Sequence, residues 1–113
     1  MSVRKNIANS ENGISIYYID SKTNFPIGCA ETSNMGEFHY FSRLYVQDRY
    51  RCQGWGRKLY DELCDMLDKQ GIVLMIDINP YGDMNYASLV EFYKSNGAVE
   101  REEYGLIRQP KMK

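Results

Sequence analysis

The chain has 113 residues, with 14 Lys plus Arg against 15 Asp plus Glu and a formal net charge of −1, so no overall field draws it to nucleic acid or to an anionic membrane. A hydrophobic content of 43% and an aromatic content of 13%, with ten tyrosines, exclude a disordered chain and predict one domain over residues 1–113 that buries roughly two-thirds of its unfolded surface. Cys29, Cys52 and Cys64 are odd in number and widely spaced, and His39 is the single histidine, so neither a disulfide framework nor a metal site is expected. The apolar runs are too short for a membrane span and residues 1–10 lack a signal-peptide core, which predicts a cytoplasmic protein with reduced thiols.

Residues 13–20, Gly-Ile-Ser-Ile-Tyr-Tyr-Ile-Asp, are rich in β-branched and aromatic types and predict the first strand. Residues 26–33 predict its hairpin partner after a Lys-Thr-Asn-Phe-Pro turn, and Glu37 to Val46 a third strand after the turn around Asn34 to Gly36. From Trp55, the four-residue recurrence of Leu59, Leu63 and Leu67 predicts a helix with one buried stripe, capped by Gly71. Ile72 to Ile76 is a continuous apolar run suited to a strand buried on both faces, ending at Asn79-Pro80.

Residues 80–85 predict a loop, and Tyr86 to Ser95 a short helix with Leu89, Val90, Phe92 and Tyr93 inside, closed by Asn96-Gly97. One or two short strands finish the chain, with Leu106 to Gln109 the clearest. The order β-β-β-α-β-α-β implies an α/β (α+β) fold with a mixed, mostly antiparallel central sheet and flanking helices.

The segment from Leu44 to Leu59 carries the chemistry. A strand runs through a glycine turn, Gly54-Trp55-Gly56, into the first helix. Such a turn directs unpaired backbone N–H groups at one point with the positive end of the helix dipole behind them, which suits a phosphate. Arg43, Arg49, Arg51, Arg57 and Lys58 cluster around it, whereas residues 61–68 and 99–103 are mainly acidic, so a local basic pocket is expected rather than a basic surface.

Leu44-x-Val46 followed by Arg51-x-x-Gly54-x-Gly56 resembles the cofactor signature of the GCN5-related N-acetyltransferase family. Leu89-Val90-Glu91-Phe92-Tyr93-Lys94-Ser95-Asn96-Gly97-Ala98 resembles the family's second signature, Phe-Tyr followed by Gly-Phe. The resemblance spans residues 13–109 and implies acetyl-CoA as co-substrate. The backbone from Leu44 through Tyr45 to Val46 would hold the pantetheine arm and acetyl carbonyl. Cys52, Gln53, Gly54, Trp55, Gly56 and Arg57 would supply the pyrophosphate cradle, with Arg51 beside it.

Some positions depart from the pattern. Asp48 stands where proline is common, Cys52 where glycine is common, and Ala98 replaces the final aromatic; Asn85 lies one residue out of register with an asparagine expected near Tyr86. Family members also open with a strand and one or two helices that wall the acceptor side. Here only about a dozen residues precede the first predicted strand, so an open acceptor site is expected, as in small phage-encoded acetyltransferases. Such a site would admit a macromolecular amine, for instance a protein lysine, and so small a sheet is compatible with a homodimer.

The resemblance implies direct attack of a primary amine on the thioester, with Tyr93 as the general acid for the departing sulfur. Without it, Tyr93 reads as a core aromatic on a short helix. Asp77, an acid in an apolar strand beside the cleft, is the candidate for activating a water, a role that competes evenly with a structural hydrogen bond. In the histone acetyltransferase branch a glutamate stands four residues before the Leu of Leu-x-Val; here that position is Tyr40. In a regular strand Glu37 and His39 face away from Leu44, and His39 reads as an ordinary strand histidine. Cys52 reads as a turn residue, and Trp55 as packing on the sheet or cofactor. Two other readings remain: a CoA-binding regulator without turnover, and a nucleic-acid module using Arg43, Tyr45, Arg49, Tyr50, Arg51 and Trp55, which the neutral charge disfavours.

Overall fold

A computed structural model describes residues 2–78, 85–101 and 105–111. In chain order the elements are β1 (Val3–Ser10), β2 (Gly13–Asp20), β3 (Pro26–Asn34), β4 (His39–Val46), α1 (Trp55–Gln70), β5 (Leu74–Asp77), α2 (Tyr86–Lys94), β6 (Ala98–Arg101) and β7 (Gly105–Arg108), with a 3₁₀ turn at Asp48–Tyr50. The strands form one seven-stranded sheet in the order β1-β2-β3-β4-β5-β7-β6. Every neighbouring pair is antiparallel except β4 and β5, which run parallel across the α1 crossover. This is the mixed, mostly antiparallel α+β architecture expected. The loop expected over residues 80–85 lies, except for Asn85, outside the described residues, as does the expected strand end at Asn79-Pro80.

β1 is an addition to the expected order. It pairs with β2 from Val3↔Asp20 to Ser10↔Gly13, yet all but its first residue is exposed. An edge strand buries so little that it carries no apolar alternation to read. Lys5, across from Tyr18, lies 5.3 Å from that ring and reaches Glu62 of α1 at 3.1 Å, so a charged side chain occupies a helix-facing position. Two short strands finish the chain, within the one or two expected: β6, exposed after Ala98, precedes β7.

α1 forms where its period demands. Leu59, Tyr60, Leu63, Cys64 and Leu67 are fully buried. Its C-terminus closes at Gly71 in the left-handed conformation, with the Ile72 N–H donating to Leu67 O at 2.9 Å. Gly28 of β3 permits close approach: a Cβ there would stand 2.4 Å from Tyr45 O and 3.2 Å from Leu59 Cδ1. Both helices contribute to one core, with Leu89, Val90 and Tyr93 of α2 joining the α1 stripe.

One irregularity positions the site. β4 pairs Glu31↔Arg43 and then Thr32↔Phe41, so Ser42 is an extra residue in the ladder. The bulge resets the alternation: His39 and Phe41 before it and Leu44 and Val46 after it all turn toward the helices. Phe41 stacks on Tyr60 with centroids 6.1 Å apart, and Val46 Cγ2 lies 3.8 Å from where a Gly56 Cβ would stand. The expectation that His39 faces away from Leu44 is thereby corrected, because it assumed a regular strand. His39 is buried, and its Nδ1 lies 2.8 Å from Thr32 Oγ1.

Candidate active site

The site begins where β4 and β5 part. They pair only at His39↔Leu74 and Tyr40↔Met75, and beyond these β4 keeps its ladder with β3 alone. The Gln47 N–H donates to Ile27 O at 2.9 Å. In an antiparallel pair alternate residues face the neighbour, so the backbone groups of Leu44 and Val46 turn the other way, into the splay. The Val46 carbonyl accepts from Arg51 Nε at 3.0 Å, and Arg51 also pairs with Asp48 at 3.0 Å. Arg51 therefore fixes the strand end against the turn that follows.

That turn is held in a glycine-like shape. Cys52 has φ of 62° although it is not glycine, and Gly54 has φ 86°, ψ 8° as the N-cap of α1, with no side-chain cap hydrogen bond. A helix start without a capping side chain leaves its first-turn N–H groups facing outward. The space where a Gly54 Cβ would stand has no atom within 4 Å. These groups border a cavity of about 370 Å³ whose floor is Leu44 and Val46, whose flank is Cys52, Gly54 and Gly56, and whose far wall is Phe92 of α2. Arg51 and Trp55 also line it.

Gln53 and Arg57 do not line this cavity, and with Trp55 they tie its surroundings together. Gln53 Nε2 donates to Arg49 O at 3.3 Å and its Oε1 accepts from Trp55 Nε1 at 3.4 Å, which ties the turn together. Trp55 meets Tyr18 edge-on at 6.1 Å and has the Lys58 ammonium 4.5 Å from its ring. The Arg57 guanidinium sits 5.4 Å from the Phe92 ring. Asn85 is the N-cap of α2, its Oδ1 accepting from the Ser88 N–H at 2.8 Å; it lines neither cavity described here.

A second cavity, of about 320 Å³, lies between the splayed strands, bordered by Tyr40, Arg43 and Tyr45 of β4 and by Ile76 and Asp77 of β5. Tyr40 donates to Asp77 Oδ2 at 3.1 Å while Arg101 lies 3.3 Å from Oδ1. Burial, reinforced by the Asp77 hydrogen bond, raises the Tyr40 phenol above its ordinary value. Sequence reasoning missed Tyr40 and Arg101 as partners of Asp77, because their association depends on which strands are neighbours. It also missed Leu89 as anything but core.

The two cavities share Leu44, Leu89 and Tyr93. Tyr93 is held by Phe41, Tyr60 and Phe92 at centroid distances of 5.9, 5.3 and 5.2 Å, and its carbonyl accepts from Tyr60 OH at 2.9 Å. Tyr93 is thus packed in the aromatic cluster and is also part of the lining of both cavities. Burial lowers His39 below its ordinary value and pushes the Cys64 thiol up to about 12.

A family model described as the acetyltransferase (GNAT) family matches residues 3–98. No curated protein sequence matches the chain. Among solved structures, the ribosomal-protein-S18-alanine N-acetyltransferase of Escherichia coli superposes with a TM-score of 0.72 at 21% identity, covering 93% of this chain and 74% of that one. The PaiA N-acetyltransferase of Thermoplasma acidophilum, in complex with coenzyme A, gives 0.67 at 17% identity over 84% and 59% of the two chains. A streptothricin acetyltransferase assignment from Bacillus anthracis, in complex with acetyl coenzyme A, gives 0.59 at 18% over 89% and 64%.

Proposed function

Membership of the acetyltransferase (GNAT) family makes this chain an acetyl-CoA-dependent N-acetyltransferase, and on that premise we propose that it acetylates a primary amine by direct attack, with Tyr93 as general acid and Asp77 as base. One observation carries the reading: two cavities on different sides of the β4–β5 splay meet at Leu44, Leu89 and Tyr93. A transfer enzyme needs donor and acceptor sites with a shared wall, and a regulator needs only the donor site.

The donor side fits acetyl-CoA by its own chemistry. The uncapped start of α1, with open space at Gly54, offers N–H groups and the helix dipole to a pyrophosphate. The N–H of Val46, directed into the splay, can polarise the thioester carbonyl as an oxyanion-hole donor does. Bound acetyl-CoA supplies the activated acyl group; everything else is the work of side chains and backbone. Asn85 acts indirectly, by starting the helix that carries Leu89 and Tyr93.

On the acceptor side, Asp77 borders the cavity with Tyr40 and Arg101 holding its two oxygens. Those contacts orient the carboxylate to receive a proton from the incoming ammonium through water. Because Tyr93 lines both cavities, its phenol would protonate the leaving thiolate. β1 and β2 join through the two-residue turn Glu11–Asn12, with no helix between them, which supports an open mouth and a macromolecular acceptor such as a protein lysine. The E. coli neighbour is named for a protein substrate. Three free thiols suit a reducing cytoplasm.

The test is incubation with acetyl-CoA and cell extract, followed by mass spectrometric location of the acetyl group. An amine acetylated by the wild-type chain and much less by Tyr93→Phe is the expected result. Strongly salt-dependent binding to single-stranded nucleic acid, with no response to CoA, would instead favour the Arg/Tyr/Trp surface as the functional one.

A further inference from the structure

We propose that Leu89 sets the length of the acyl group the chain accepts, restricting the donor to acetyl-CoA and equally short acyl thioesters; this rests on reading the two cavities as donor and acceptor sites. For an acyl carbon to pass from thioester to amine it must lie where the cavities meet, and Leu44, Leu89 and Tyr93 wall that junction. A carbon beyond the acetyl methyl that turns toward α2 would meet Leu89 or Tyr93 in that wall.

They do not yield equally. Tyr93 is wedged among Phe41, Tyr60 and Phe92, and its backbone carbonyl is held by Tyr60 OH. Leu44 is carried by a strand in register with Ala30 of β3, and its neighbours on both sides are also paired. Leu89 stands one turn before Tyr93 on α2, is 5% exposed, and has an aliphatic side chain whose size alone decides the free space. In a close-packed wall each added methylene is excluded by about 10- to 200-fold.

Val90 provides the control. It is the next residue of α2, is 6% exposed, belongs to the same core and lines neither cavity. Truncating it loosens the helix without opening the junction.

The experiment is calorimetric titration of the wild type, Leu89→Ala and Val90→Ala with CoA, acetyl-CoA and butyryl-CoA, which needs no acceptor. The wild type should bind butyryl-CoA at least about tenfold more weakly than acetyl-CoA. Leu89→Ala should bring the two within a few fold while CoA itself binds nearly as before, and Val90→Ala should keep the wild-type ratio. If Leu89→Ala does not fold, Leu89→Val should move the ratio the same way. Equal affinities in the wild type, an unchanged ratio in the Leu89 variants, or a ratio erased by Val90→Ala would overturn the proposal. No binding of any CoA form to the wild type would remove the donor-site reading beneath it, and the proposal with it.

Discussion

Gly54→Val tests the cradle, and the structure supplies its own control. Gly54 and Gly36 both hold positive φ, 86° and 99°, and at neither would a Cβ meet an atom within 4 Å. Valine at either site carries a left-handed penalty of about 1–2 kcal/mol, or about 4–8 °C in Tm for a domain of this size. Only Gly54 borders the cavity proposed to hold acetyl-CoA. With acetyl-CoA at about 100 times its dissociation constant the wild type gains about 2.7 kcal/mol, roughly a 10 °C shift. Losing one or two charge-assisted hydrogen bonds from the first turn weakens binding by about 100-fold. At the same ligand concentration the stabilisation then falls to about 0.4 kcal/mol, under about 2 °C. Gly36→Val should melt early but keep the full ligand shift. Thermal denaturation with and without acetyl-CoA reads both quantities, and a full shift in Gly54→Val would place the pyrophosphate elsewhere.

Tyr93→Phe should lower kcat by about 100-fold, followed as thiol release, while acetyl-CoA affinity measured by titration stays within a few fold; a wild-type rate would remove Tyr93 as the acid. Cys52→Gly should raise stability by about 0.5 kcal/mol, since relief of the left-handed backbone exceeds the added freedom of the unfolded chain; a lower Tm would refute the strain. Burial alone would raise Asp68, but the hydrogen bonds and charge of Arg108, with the Lys111 N–H, hold it below its ordinary value. Its stability is therefore present above the unfolded pKa near 3.9 and is lost as pH falls through the lower folded value. His39, lowered by burial from 6.5, adds stability above 6.5 that is lost as pH falls through its folded value. Denaturant melts from pH 7 to 5 should therefore show a slope that His39→Gln flattens.

Local signals in the chain were strong where one element supplies everything it needs. The stripe of Leu59, Leu63 and Leu67, the Gly71 cap and the Gly54 turn each depend on residues within a few positions, and each forms as expected. What resisted reading depends on a partner. β1 is mostly exposed and carries no apolar alternation. The bulge at Ser42 exists only relative to β3, yet it decides that Phe41 and Leu44 share a face. Tyr40 and Asp77 are separated by 37 residues and meet only because β4 and β5 are neighbours before they part. The cavity beside the Gly54 turn was therefore legible in outline, and the one between β4 and β5 hardly at all.

The same dependence on distant partners ties stability to the site. Arg108 of β7 is fully buried, grips Asp68 of α1 through both guanidinium nitrogens at 2.8 and 3.0 Å, and donates from Nε to the Asn96 carbonyl at 2.7 Å. Asn96 in turn donates to Asp61 of α1 at 2.8 Å. One cation thus joins the end of α1, the chain just after α2 and the β7 strand that pairs with β5. Asp68→Asn would leave that buried charge without its counter-ion at a cost of about 3–5 kcal/mol, and the loss should not stop at stability. Asn96 lies three residues after Tyr93, so loosening its anchor frees the helix end that fixes the Tyr93 ring against Tyr60. A variant folded at low temperature should therefore lose catalytic rate more than acetyl-CoA affinity, because the proposed pyrophosphate cradle is at the opposite end of α1. Equal loss of both, measured by thiol release and titration, would mean that α1 itself has shifted and that the anchor serves the whole helix.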